Sequence, residues 1–108
     1  MLVLFDQGTP VAIHDSLPKH TVKTAREQGW SALLNGEWLR QAEEAGFEVL
    51  LTTDKNLVYQ QNLTGRNIAI VVLSQARWSL IQRVLNRVSE VLDAVKPGSY
   101  TLIDVPRR

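Results

Sequence analysis

The sequence predicts one α/β domain of three layers, with helices on both sides of a mostly parallel sheet of about five strands. The first observation behind this is a set of short, continuous apolar runs: Leu2-Val3-Leu4-Phe5, Val49-Leu50-Leu51-Thr52 and Ile68-Ala69-Ile70-Val71-Val72-Leu73. Such runs suit strands buried on both faces, as parallel sheets require. The second is that segments with helical spacing alternate with these runs along the chain. The third is size. At 108 residues, 44% hydrophobic and 21% charged, residues 1–108 suit a single core, and there is no linker, internal repeat or low-complexity tract.

The elements follow in order. Leu2–Phe5 forms the first strand and stops at Asp6. Thr9-Pro10 then opens a helix, with Thr9 as N-cap and Pro10 at the first helical position. That helix is short, because a residue before proline, here Leu17 before Pro18, is pushed away from helical angles. Thr21–Thr24 is a weaker strand. Asn35 caps the next helix, whose apolar positions Trp38, Leu39, Ala42 and Ala45 recur three and four apart until Gly46 terminates it. The Val49–Thr52 strand follows, then a short helix over Leu57–Gln61 and the Ile68–Leu73 strand. The longest helix runs from Arg77 to Val95. Ile81, Val84, Leu85, Val88, Val91, Leu92 and Val95 form its apolar stripe, which serves either the core or a homodimer, while Arg83, Arg87, Glu90 and Asp93 lie off it. Lys96-Pro97-Gly98 ends it, and Tyr100–Asp104 is the last strand.

Composition removes several function classes. With no cysteine there is no disulfide framework, thiolate zinc site or cysteine nucleophile. No apolar run reaches the roughly 18 residues of a membrane span, and Asp6 interrupts the opening run too early for a signal peptide, so a cytoplasmic chain without membrane contact is expected. The formal charge of +1 selects no partner, but it is unevenly spread. Residues 1–54 hold four basic and eight acidic side chains (−4), and residues 55–108 hold eight and three (+5). An anionic half beside a cationic half suits a polyanion handled through metal ions. It also arises by chance in short chains.

In an open parallel sheet, ligands bind beyond the carboxyl ends of the strands. Asp6 follows the first strand, Asp54 follows the third, and Glu37 lies in the first turn of a helix expected to begin at the same edge. Three carboxylates converging there make a hard-oxygen cage for Mg²⁺ or Mn²⁺. A bland reading stands beside it, since a strand-end Asp often caps the following helix and acids favour helix N-termini. His14 and His20 are read as surface or helix-end residues, and Arg83 and Arg87 as a solvated helix face. There is no Gly-rich phosphate loop and no local serine-nucleophile signature.

Five segments resemble one family: Leu4-Phe5-Asp6-Gln7, Asn35-Gly36-Glu37-Trp38-Leu39-Arg40-Gln41-Ala42, Val49-Leu50-Leu51-Thr52-Thr53-Asp54-Lys55-Asn56-Leu57, Tyr59-Gln60-Gln61-Asn62-Leu63 and Ile70-Val71-Val72-Leu73. In this order they are similar to the short PIN-like domains related to the PIN-domain ribonuclease toxins of bacterial toxin–antitoxin systems. The resemblance implies a compact α/β sheet with acids at its carboxyl edge. It also implies Mg²⁺- or Mn²⁺-dependent RNA cleavage leaving a 3′-hydroxyl and a 5′-phosphate, restraint by a small antitoxin, and often a homodimer. By position it gives Asp6, Glu37 and Asp54 the metal and catalytic roles. Asn35 and Asn56 stand where many relatives place acids; their amide oxygens ligate without formal charge, so metal affinity should be lower. Lys55 and Arg66 are the candidates to hold backbone phosphates.

Two other readings compete. In one, the two amides mark a degenerate site, and the protein binds RNA or a partner without cutting. In the other, Asp54 and Ser74 belong to a phosphoacceptor domain of receiver type. That chemistry wants an acidic pair after the first strand and a lysine near the last, whereas Gln7 follows Asp6 and Tyr100–Asp104 contains no lysine.

Overall fold

The computed structural model describes residues 1–6, 8–29, 36–53 and 67–107, and the side chains of residues 36–39 are not part of that description. Strands β1 (Leu2–Phe5), β2 (Thr21–Thr24), β3 (Val49–Thr52), β4 (Ala69–Leu73) and β5 (Tyr100–Ile103) form one sheet. Its order is β2-β1-β3-β4-β5 and every neighbouring pair is parallel. The expected mostly parallel α/β sheet of five strands is therefore present among the described residues, with no antiparallel member.

Alternation along the strands divides the core in two. Val3 and Phe5, Val49 and Leu51, and Ala69, Val71 and Leu73 join one cluster with Ile13, Leu17, Ile81, Val88 and Leu92. Leu4, Leu50, Ile70 and Val72 point the other way and join Ala25, Ala42, Phe47 and Ile68. Every residue of β3 and β4 is buried, so their continuous apolar runs are what two covered faces demand. Burying a Leu, Ile or Phe side chain fully contributes roughly 1.5–3 kcal/mol, and this sets the register as well as the stability.

Between β1 and β2 the chain makes a 3-10 helix over Val11–Ser16. It starts later than Thr9-Pro10 suggests: Pro10 occupies the capping position in extended conformation and no side chain caps the turn. Thr9 has other partners, described below. The end at Leu17 is as expected before Pro18. Helix α1 (Gly36–Glu44) puts Ala42 in the core, and Gly46 with φ +92° reverses the chain toward β3, a conformation that glycine adopts without strain. Ala45 lies past the helix end and is exposed, contrary to the apolar spacing. Asn35 as cap, and the helix expected over Leu57–Gln61, fall outside the described residues.

The single helix expected over Arg77–Val95 is instead three pieces: α2 (Trp78–Ile81), a 3-10 turn (Gln82–Val84) and α3 (Leu85–Ala94). Val84, at φ −123° and ψ 19°, leaves helical geometry and breaks the run. The apolar stripe survives the break. Ile81, Val88 and Leu92 are buried while Val84, Leu85, Val91 and Val95 pack beside them, so the stripe serves the core. The helix ends where Val95 turns extended before Lys96-Pro97, and Gly98 has φ +73°. Among the described residues, no helix is long and apolar enough to cross a membrane.

Candidate functional site

The strand order locates the site. From β1 the chain places β2 on one side, then crosses to place β3 on the other side of β1. In open α/β sheets, ligands bind at such a reversal, beyond the carboxyl ends of the strands on either side, here β1 and β3. Asp6 is the residue that follows β1, and its side chain is half-buried.

Register explains what Asp6 meets. Phe5 pairs with Leu51 across β1 and β3, so the next positions, Asp6 and Thr52, are lateral neighbours. The Asp6 backbone N–H continues the ladder by donating to the Leu51 carbonyl at 3.2 Å. The Thr52 hydroxyl donates to Asp6 Oδ2. Thr52 is fully buried, and a buried hydroxyl left without an acceptor costs about 1–3 kcal/mol, so this bond also lets the strand end on a polar residue.

Thr9 approaches from the loop. Its Oγ1 lies 2.5 Å from Asp6 Oδ1 and 2.9 Å from the Leu51 carbonyl oxygen, and the residue is 4% exposed. The loop is folded back by a hydrogen bond from the Thr9 N–H to the Asp6 carbonyl at 3.2 Å. Between them, Gly8 runs close to the ends of β1 and β3: a Cβ added there would stand 3.0 Å from Thr53 Oγ1 and 4.0 Å from Asp6 Oδ1. Asp6 is thus held by two hydroxyls, one local and one from β3, each on a different carboxylate oxygen. The bonds described for its carboxylate do not cap the following helix, which has no side-chain cap.

Both hydroxyls are neutral, and among the described residues no ion pair reaches Asp6. A carboxylate has about four acceptor sites, so two hydrogen bonds leave lone pairs on each oxygen. One carboxylate bounded by hydroxyl oxygens is a hard-oxygen environment, and in that respect it fits Mg²⁺ or Mn²⁺ rather than a thiophilic metal. The described residues contain no group of three or more metal-ligating acids or histidines. Glu37 is the second residue of α1, and its side chain is not part of the description. Asn35, Asp54, Lys55, Asn56 and Arg66 lie outside the described residues, so Asp6 is the one sequence-predicted site residue whose surroundings are seen. The residues that sequence reasoning missed are Thr9, read as a helix cap, and Thr52, read only as a strand end.

Ser74, at the end of β4, is occupied elsewhere. Its Oγ accepts the Val105 N–H at 2.7 Å, and Gln75 Nε2 donates to the Val105 carbonyl at 2.8 Å. The pair clasps the segment after β5, which weighs against the receiver-type reading of Ser74. A cleft of about 210 Å³ lies at the opposite, amino-terminal edge of the sheet, lined by Met1, Glu48, Asn67, Ala69, Val95, Lys96 and Pro97. It faces away from the strand ends where parallel sheets place their ligands.

His20 corrects an expectation. Its side chain is only 6% exposed, and Nε2 lies 2.7 Å from Asp93 Oδ1 on α3. It is neither a surface residue nor a helix-end ornament, because Leu17, Pro18 and α3 enclose it in a small cleft with Ser89. His14 is exposed, as expected.

Comparison with known proteins finds no matching family profile, no matching curated protein and no matching solved structure.

Proposed function

We propose that the protein is a PIN-like ribonuclease that hydrolyses RNA phosphodiesters at an acidic Mg²⁺ or Mn²⁺ site. The observation that supports this most is Asp6 itself. It is a half-buried carboxylate at the reversal of strand order, oriented by two hydroxyls and answered by no cation among the described residues. A bound divalent ion supplies water activation and neutralises phosphodiester charge. In this reading Asp6 ligates, Glu37 and Asp54 complete the acidic set, and Asn35 and Asn56 add neutral oxygens. Lys55 and Arg66 hold backbone phosphates, which positions RNA without reading its sequence.

The test is cleavage of single-stranded RNA by purified protein with Mn²⁺ or with chelator, wild type beside Asp6→Asn. Cleavage should need the metal, leave 5′-phosphate ends, and fall by at least about 10²-fold in the variant, the scale for removing one electrostatic stabiliser. A fully active Asp6→Asn protein overturns the proposal.

The two amides support a second reading. With Asn35 and Asn56 in place of acids, the site has less charge to hold a cation. The protein then binds RNA, or a partner such as a small antitoxin, without cutting. RNA retention with no cleavage and no Mn²⁺ response distinguishes this reading from the first.

A further inference from the structure

Thr9 has one hydroxyl proton and two acceptors within reach, Asp6 Oδ1 at 2.5 Å and the Leu51 carbonyl at 2.9 Å. A single proton cannot make two full hydrogen bonds, so it is shared between them or leans toward one. The Leu51 carbonyl does not depend on it, since that oxygen also accepts the Asp6 N–H. Asp6 Oδ1 gains more, because a bond from hydroxyl to carboxylate is charge-assisted and stronger. From this asymmetry we infer that Thr9 is a positioning residue for the Asp6 carboxylate, setting its orientation for a divalent cation. The inference rests on the reading of Asp6 as a metal ligand.

The geometry suits this role in three ways. Thr9 is buried, so its hydroxyl does not exchange its partners for solvent. It grips Oδ1 while Thr52 grips Oδ2, and fixing both oxygens stops the carboxyl group from rotating. The second acceptor anchors the hydroxyl to β3 at the Leu51 carbonyl, so its oxygen stays beside Oδ1. Groups that orient a ligating carboxylate in this way govern metal affinity without touching the metal. The local sequence Thr9-Pro10 reads as a helix cap, yet no side chain caps that turn, so Thr9 is not needed there.

The experiment measures Mn²⁺ affinity by calorimetric titration of wild type, Thr9→Val, Thr9→Ala and Thr9→Ser, each below its own melting temperature. Thr9→Val keeps the shape and removes the hydroxyl, and Thr9→Ala serves if the valine variant does not fold. Loss of the hydroxyl should weaken Mn²⁺ binding on the order of tenfold or more, and Thr9→Ser should stay within about twofold of wild type. A merely structural Thr9 would change melting but leave the affinity of folded protein alone. Equal affinity in wild type and the hydroxyl-free variants overturns the role of Thr9 and leaves the Asp6 site standing. No Mn²⁺ binding by wild type overturns that site and this inference together.

Discussion

Asp6 and Asp93 each accept a close hydrogen bond from a residue far along the chain, Thr52 at a separation of 46 and His20 at 73. They differ in what answers the charge. Asp93 faces an imidazole that can carry a proton, at 2.7 Å, and the contact ties the segment before β2 to α3. Asp6 faces two hydroxyls, which orient its charge and leave it formally uncompensated among the described residues. The first arrangement answers the charge locally, although His20 Nδ1 on the far side of the ring is buried without a hydrogen-bond partner among the described residues. The second leaves a carboxylate without a formal countercharge at a sheet edge, the arrangement that the proposed cation site requires. An aspartate's role is thus read from its partners rather than from its position after an element.

Substitutions can break this contrast or sharpen it. The largest stability loss should come from His20→Ala, which removes an almost fully buried ring and its bond to Asp93. We expect about 2 kcal/mol by denaturant unfolding, with Mn²⁺ affinity unchanged. A change in Mn²⁺ affinity there would mean that the two regions are coupled. Thr52→Val should cost about 1 kcal/mol, since it removes a buried hydroxyl bonded to a carboxylate, and it should also weaken Mn²⁺ binding. His20 lies before β2 and Thr52 at the carboxyl end of β3, in separate parts of the fold, so their stability effects should add to within about 0.5 kcal/mol in the double variant. Asp93→Asn should cost less than about 1 kcal/mol, because the Asp93 side chain is 43% exposed and solvent screens its charge. Smallest is Gly8→Ala. The new methyl would press on Thr53 Oγ1, the end of a side chain that can shift, and the melting transition should reveal less than about 1 kcal/mol.

The sequence made the sheet legible wherever burial on both faces left a continuous apolar run. β1 and β3 begin and end where those runs do, and β4 starts one residue later than its run. Helical periodicity found the stripe of Ile81, Val88 and Leu92, but period alone does not show the turn at Gln82–Val84, because both helix types keep these residues on one side. At the site, the position of Asp6 was legible because it ends a strand. Its partners were not. Thr9 carries a local signal for capping, and its bonds to Asp6 and Leu51 arise only once β3 lies beside β1. His20 likewise meets Asp93 only through the packing of α3 on the segment before β2. Local chemistry places a side chain at an edge, and sheet register decides what it touches there.

In the proposed site the carboxylate of Asp6 is held for a divalent cation while that of Asp93 is not. Thermal unfolding with increasing Mn²⁺, for wild type, Asp6→Asn and Asp93→Asn, tests it directly. A cation that binds the folded state raises its stability as concentration exceeds the dissociation constant. The melting temperature should rise for wild type and Asp93→Asn, and not for Asp6→Asn. A wild type that does not respond to millimolar Mn²⁺, or an Asp6→Asn protein that responds equally, would contradict it.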